Sequence, residues 1–597
     1  MSKNKSLILS IIFSSLLLYI KSVDITLSSS MEDKEESTYS ISSNVLSLNS
    51  STNYKISGSC SDCKIEVDKS ISASITLNSI TIDNSKTGPF VIKKGSTVNL
   101  ILEGESTITD RETDESSSDF EGAGIKFKSS SSLTINGDGK LNVIGNIKNG
   151  IKGASNSNLI INGGTLNIKA VNNALAADGS LTINDGTFLI STSEGDGLKS
   201  DPDYGDEDSE GTVTINGGTF NISSYSDGIQ AKTKLTITGG KFYIKTYTNG
   251  ASSSNFNKDD ESAKGLKCSY NETADIVLNI TGGDFVLNTA DDSIHSDGNI
   301  TITGGNFEIS SGDDGVHADQ YLILGKENAD NSLIKMNILK SLEGIEGSYV
   351  YIYSGTYNVI ASDDGINSAG DTEEECGFGG NGNNNGGRGG FWKQGKNIKR
   401  NLKNRKLAEC FSFHIYIYGG EIFINAEADG LDANGNIEIS GGNITVWGAK
   451  SGSDGDPIDL EGTLTIKGGI LFAGGNQGMT QIDRVAKNSQ QYISQSGSFS
   501  SSQTYYILNG DTTIRAFTVP KNIRYMYYTS PNVASSTYKF STSAGSKTDT
   551  NSESTTTNST TTNGNTSSSD ENITKFINFS PNIKINTFFL FALALLI

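Results

Sequence analysis

Three pairs of adjacent carboxylates, Asp291-Asp292, Asp313-Asp314 and Asp363-Asp364, stand at equivalent places in a recurring phrase. Single aspartates follow five residues after the second member of two of these pairs, at Asp297 and Asp319. Like charges gathered at strand spacing repel one another unless water or a cation screens them. A hard ion such as Ca2+ takes roughly six to eight oxygens, which neighbouring turns supply from carboxylates and carbonyls. Asp-Gly is also ordinary turn chemistry, and that reading suffices for one turn. Three paired carboxylates on a shared ladder favour calcium. The further acidic run at 201–208 reads as a solvated loop.

Three residues beyond the turn position runs a second line: Lys126, Lys152, Ala176, Lys199, Gln230, Lys267, His295, His317, Glu346, Asn367, Asp432 and Asp459. Its first half is basic and its second half acidic. Lysines there, Lys199 and Lys267 above all, can pair with the carboxylates of a uronic acid polymer; solvated rungs are the plain alternative. His295 and His317 fall one repeat apart, and two imidazoles alone make a poor metal site. A third set is aromatic. In Tyr349-Val-Tyr-Ile-Tyr353 the aliphatic residues take the inward positions and turn Tyr351 and Tyr353 outward. His414-Ile-Tyr-Ile-Tyr418 repeats that register with Tyr416 and Tyr418, and Trp447 follows one repeat later. Rigid exposed rings at regular spacing suit the apolar faces of sugars, unless the insertion at 371–410 folds over them.

What must position these residues is a repeat. Leu159-Ile-Ile-Asn-Gly-Gly164, Val213-Thr-Ile-Asn-Gly-Gly218, Leu235-Thr-Ile-Thr-Gly-Gly240, Leu278-Asn-Ile-Thr-Gly-Gly283 and Ile300-Thr-Ile-Thr-Gly-Gly305 are versions of one phrase. The interval is 22 residues from Gly217 to Gly239, from Gly282 to Gly304 and from Gly419 to Gly441. A period of this size means a solenoid. Within it apolar residues alternate, as in Leu235-Thr-Ile237 and Phe242-Tyr-Ile244, and a third short alternation follows each acidic turn. Three short strands per period separated by Gly and Asp turns predict an all-β, single-stranded parallel β-helix. Helical repeats are excluded because no stretch of the region has a 3.6-residue period. Leucine-rich repeats require an Asn ladder and a longer Leu pattern. Residues 23–110 supply an N-terminal β region and first coils, 111–475 the helix with its insertion 371–410, and 476–540 a C-terminal β cap over the open edge.

The chain has 597 residues with 67 Gly, 6 Pro and a formal charge of −21. That charge repels phosphate backbones and argues against nucleic acid. Lys3 and Lys5 before the apolar run 6–20 read as a secretory signal peptide, 1–22. A Ser/Thr/Asn-rich stalk, 541–572, precedes a C-terminal segment, 573–597, whose apolar end is too short to span a bilayer and reads as a GPI-anchor signal. The expected location is extracellular, at the cell surface. Of five Cys, Cys60 and Cys63 form a C-S-D-C pair too isolated for zinc, and Cys268 is the leftover, expected to be buried. Cys376 and Cys410 bracket the insertion and could bridge its ends, a closure worth about 3–4 kcal/mol.

Catalysis finds little support. β-Helix polysaccharide lyases need a base beside calcium, and no Arg stands between Arg111 and Arg388; Lys199 or Lys267 would have to substitute. Asn288-Thr-Ala-Asp-Asp292 only superficially matches the carboxylate cluster of polygalacturonases, and no Ser-His-Asp motif is present.

The phrases Leu77-Asn-Ser-Ile-Thr-Ile82, Gly195-Asp-Gly-Leu-Lys-Ser-Asp201, Ser262-Ala-Lys-Gly-Leu-Lys267, Asp291-Asp-Ser-Ile-His-Ser296, Gly312-Asp-Asp-Gly-Val-His-Ala-Asp319 and Ser362-Asp-Asp-Gly-Ile-Asn-Ser368 run in order along the chain. With Ala428-Asp-Gly-Leu-Asp432 and Gly475-Asn-Gln-Gly-Met479, they resemble the calcium-binding, carbohydrate-binding parallel β-helix proteins of cellulose-degrading bacteria over roughly residues 50–540. The resemblance implies a right-handed, pectate-lyase-like solenoid and association with cellulose or acidic pectic polysaccharide without cleavage. It also implies Ca2+ at Asp292, Asp297, Asp314, Asp319 and Asp364. Two features depart from it: Asp292-Ser293 replaces Asp-Gly, and sequons such as Asn279, Asn299 and Asn443 point to a eukaryotic secretory route. The expectation is therefore a non-catalytic, calcium-dependent polysaccharide-binding protein. The alternatives are a lyase acting on acidic glycans and a structural or adhesion protein with no glycan ligand.

Overall fold

In the computed structural model, residues 22–117, 120–202, 210–269, 276–369, 413–477, 485–486 and 489–548 are described. The insertion 371–410 with Cys376 and Cys410, the signal segment before Ser22 and the C-terminal segment 573–597 lie outside them. The protein is all-β, with two 3-10 turns at Gly250–Ser252 and Asn331–Leu333 and no α-helix among the described residues. Among the described residues no helix is long and apolar enough to cross a membrane.

The alternation in the repeat dictates the pairing. Thr212–Ile215 pairs in parallel with Lys234–Ile237, Thr219–Ser224 with Lys241–Thr246, and Ile229–Ala231 with Leu266–Cys268, so that each strand meets the third one after it. Nearly all strands thereby join one large, mostly parallel sheet. Inward residues such as Leu235 and Ile237 are wholly buried. Phe188, Phe220, Phe242, Phe285 and Phe307 stack ring on ring at 4.6–4.8 Å, the spacing of the strands that carry them.

The Gly-Gly pairs have two separate causes. Gly240 has φ of 115°, in the left-handed region that glycine tolerates. Gly239 has an ordinary φ, but an added Cβ would sit 3.1 Å from Asn216 O of the preceding repeat. Just before these pairs, Asn162 Nδ2 donates to Asn136 Oδ1 at 2.8 Å, Asn184 to Asn162 at 2.6 Å and Asn216 to Asn184 at 2.8 Å. This is an asparagine ladder of side chain on side chain.

At the N-terminus Val23–Leu27 pairs in parallel with Asn53–Cys60, and Tyr39–Ser42 forms a hairpin with Val45–Leu48. Cys60 and Cys63 are joined as a disulfide. Cys268 is fully buried, and burial pushes its thiol up to about 12. At the other end Ile523–Thr529 lies antiparallel to both Ile470–Gly475 and Tyr492–Phe499. A separate four-stranded sheet of Thr504–Asn509, Thr512–Thr518, Tyr538–Ser541 and Lys547–Thr548 packs beside them. That sheet runs past residue 540 into the stretch expected to be stalk.

Candidate functional site: an acidic strip and an aromatic face

The turn carboxylates first serve the chain itself. Asp196 Oδ1 accepts from Asp227 N at 2.9 Å, Asp227 Oδ1 from Lys264 N at 2.8 Å, Asp292 Oδ1 from Asp314 N at 3.0 Å, and Asp364 Oδ1 from Asp429 N at 2.8 Å. At these steps the turn receives the backbone N–H of the next, which explains Asp there without any ligand; the step from Lys264 differs, Asp292 N donating to Asp291 Oδ1 at 3.0 Å. The following Gly lets the turns approach: a Cβ on Gly344 would lie 2.3 Å from Gly365 O. Ser293 stands where most of the turns have Gly and meets Thr289 Oγ1 with its hydroxyl at 2.7 Å. The second carboxylate oxygen remains for other partners, and those partners change along the strip.

The line of residues three beyond the turns is in direct register from Lys126 to Asp459. In its basic half the lysines are already committed. Lys199 Nζ is 2.9 Å from Asp196 Oδ2 and 3.7 Å from Asp201, and Lys267 Nζ is 3.2 Å from Asp227 Oδ2 and 2.9 Å from Ser262 Oγ. A uronate would have to displace these internal carboxylates. Lys126 differs: burial, reinforced by neighbouring Lys152, brings its pKa down to about 8.

In the middle of the strip, Asp291, Asp292 and Asp313 bring oxygens within 4.8 Å of one another. Two lysines that sequence reading passed over neutralise them. Lys264 Nζ lies 2.9 Å from Asp291 Oδ1 and 2.6 Å from Asp292 Oδ2, and Lys258 Nζ lies 2.5 Å from Asp313 Oδ2. Asp297 and Asp319 are not gathered with these turn carboxylates; they stand across imidazoles, Asp297 Oδ1 at 2.8 Å from His295 Nε2 and Asp319 Oδ1 at 3.6 Å from His317 Nε2. Burial opposes charge on His317, but Asp314 and Glu346 outweigh it and hold its pKa well above the usual imidazole value.

Farther on, Asp364, Asp429 and Asp432 converge within 4.8 Å with no Lys or Arg at ion-pair distance among the described residues. Burial first, and neighbouring carboxylates second, push Asp364 up to about 6, Asp432 to about 7 and Asp429 to about 8. Asp363 is exposed and stands outside that group. Asn367, in register between Glu346 and Asp432, is buried with its Oδ1 lacking a hydrogen-bond partner. An oxygen-only donor set with an orphaned amide oxygen beside it fits a hard cation. Asp429 stands three residues before Asp432, at the turn position, and neither belongs to an adjacent pair of carboxylates.

The aromatic face follows the same pairing. Tyr351 stacks on Tyr416 and Tyr353 on Tyr418, each at 4.9 Å, while Tyr321 stacks on Tyr349 at 5.0 Å and His414 lies 4.9 Å from Tyr416. Because these rings cover one another's faces, the row shows solvent chiefly edges and hydroxyls. Beyond Tyr353 and Tyr418 it opens into a groove of about 570 Å³ lined also by Asn328, Asn331, Glu421 and Asn443. Trp447 does not join this face, contrary to the sequence expectation. It is 2% exposed and packs on Phe472 at 5.0 Å and Phe517 at 6.1 Å under the C-terminal strands, so a sugar cannot reach it.

No curated protein matches the chain. A solved structure described as that of the polysaccharide lyase-like protein from C. thermocellum, gadolinium derivative, is similar with 28% identity and a TM-score of 0.33, covering 38% of this chain and 91% of that one. A family model described as carbohydrate-binding domain-containing protein matches residues 42–315, somewhat under half of the chain, so that the acidic strip as far as Asp314 falls within the similarity and the tyrosine face beyond it.

Proposed function

We propose that the chain is a non-catalytic, calcium-dependent polysaccharide-binding protein of the cell surface, built as a right-handed parallel β-helix. The pairing of each strand with the third after it supports the helix, and the similarity to a carbohydrate-binding family supports the ligand class. The observation that carries the reading is the tyrosine row opening into a groove where Tyr353 and Tyr418 meet amides and a carboxylate. Ring edges and convergent hydrogen-bonding groups are what a hydroxyl-rich ligand needs. Calcium fits best at Asp364, Asp429 and Asp432, where nothing else balances the charge; bound there it would relieve that repulsion and brace the neighbouring repeats. Cellulose and polygalacturonate are the expected polymers.

The test is equilibrium binding of the secreted protein to each polymer in calcium and in excess chelator. Saturable binding lost on chelation is expected, and Tyr351→Ala with Tyr416→Ala should weaken it at least tenfold while the melting temperature barely moves. An unchanged isotherm would remove the aromatic face from the reading, and no binding to either polymer would leave a structural surface protein. A lyase is the second reading, favoured by Lys126, a lysine brought near neutrality at the basic end of the strip. It requires unsaturated products absorbing in the ultraviolet, lost in Lys126→Met.

A further inference from the structure

The chain has three histidines, and two of them stand on adjacent rungs of the acidic strip, His295 directly opposite His317 with ring centroids 5.0 Å apart. Two convergent groups of possible ligand atoms share His317: Asp292, His295 and His317, and Asp314, His317 and Glu346, each within 4.8 Å. In the second, His317 Nδ1 is 3.2 Å from Asp314 Oδ2 and 3.4 Å from Glu346 Oε2. In the first, His295 is nine-tenths buried, and its Nδ1 makes no hydrogen bond although Asp292 Oδ2 stands 2.9 Å away. Such a nitrogen, desolvated and facing an anionic oxygen, is unfavourable as a bare lone pair, and either a proton or a metal ion bound to both groups relieves it.

The surrounding shell is arranged as metal sites arrange it. Asp297 Oδ1 holds the far nitrogen of His295 at 2.8 Å, so that in the neutral ring Nδ1 carries the lone pair, and Asp319 stands at the corresponding place behind His317. A carboxylate behind a ligating imidazole fixes its tautomer and raises its basicity. Asp314 Oδ1 is held by Glu343 N at 3.2 Å, which turns Oδ2 toward the imidazole. Lys264 already neutralises Asp292 from one side, so the unbalanced negative charge lies toward Asp314 and Glu346.

Nitrogen donors change which ion this is. Calcium takes oxygens, whereas imidazole with carboxylate suits zinc and its neighbours among the divalent transition metals. We propose that His295, His317, Asp314 and Glu346, with Asp292 at the margin, form a binding site for one divalent transition ion of the zinc class. The site is distinct from the oxygen-only group at Asp364, Asp429 and Asp432. His317 and Glu346 keep 26% and 15% of their side-chain surface, so the ion retains a coordination position open to solvent.

The experiment is calorimetric titration of the full-length, metal-stripped protein with ZnCl2 in the presence of millimolar calcium, with metal content checked by mass spectrometry and Co2+ used as a spectroscopic probe. One equivalent of zinc and a cobalt spectrum of mixed nitrogen and oxygen coordination are expected. His295→Gln with His317→Gln should abolish both, and Asp297→Asn should weaken zinc binding about 10–100-fold, as removal of such a supporting carboxylate does. His414→Gln and Asp364→Asn should leave zinc affinity unchanged. Circular dichroism and thermal melts establish that each variant is folded. Zinc displaced by calcium, or retained within threefold in a folded double histidine variant, overturns the proposal, as does a variant set in which only Asp364→Asn lowers the affinity.

Discussion

Asp292 and the group of Asp364, Asp429 and Asp432 show what a single residue type does in two surroundings. Asp292 is held well below the usual carboxylate range because Lys264 and His295 outweigh its burial, whereas the other three are pushed up because burial and mutual repulsion outweigh the single backbone N–H that each receives. The sign of the pH dependence follows. A carboxyl whose folded pKa exceeds its unfolded value of about 4 binds more protons folded than unfolded, so stability is greatest below that value and is lost as pH rises through the folded pKa. The raised pKa of His317 acts in the same sense. In chelator, the melting temperature should therefore fall between about pH 5 and pH 8. Added calcium should flatten the fall at pH 8 and have little effect at pH 5, and Asp429→Asn should remove most of the calcium dependence. Scanning calorimetry in both buffers checks this; a calcium gain independent of pH would place the ion elsewhere.

At the scale of the element, the pattern that carries stability is the inward column. Phe242 is fully buried between Phe220 and Phe285 at 4.8 and 4.6 Å, so Phe242→Ala should cost about 3–5 kcal/mol, measured as a shift of the denaturant midpoint. This column, the turns and the line of residues from Lys126 to Asp459 were all legible in the sequence, because strand alternation and the Gly-Gly interval leave one register in which every inward residue stays inward. Two kinds of information were not. Lys258 lies near the end of a long excursion from the repeat, and no local pattern says that its ammonium meets Asp313. Trp447 obeys the alternation that would turn it outward, yet strands far along the chain cover it, which periodicity cannot express. The tyrosines were placed on the correct side of the sheet, but that they stack face on face follows from strand spacing acting on large rings.

For the whole molecule, a long parallel stack must end somewhere without leaving an unpaired strand edge. Ile523–Thr529 meets Ile470–Gly475 antiparallel, and an apolar cluster including Trp447, Phe472, Phe499 and Phe517 seals that end. A chain terminated after Gly475 would expose Ile470–Gly475 and the rings beneath it. Such a truncation should associate at micromolar concentration, seen by light scattering, whereas the full chain should not.

The side-chain hydrogen bonds along the turns also have a direction, opposite to that of the backbone ones, in which Gly197 N donates onward to Asp227 O and Gly344 N to Asp364 O. At each side-chain step described, the acceptor oxygen belongs to the earlier repeat and the donor N–H to the later one. A polypeptide made N-terminus first therefore has each such carboxylate in place before the N–H that it receives, while the backbone N–H of the same turn waits for the carbonyl of the next repeat. Each finished turn thus offers the one behind it both an acceptor and a donor, a two-way template on which repeats can dock in the order of their synthesis.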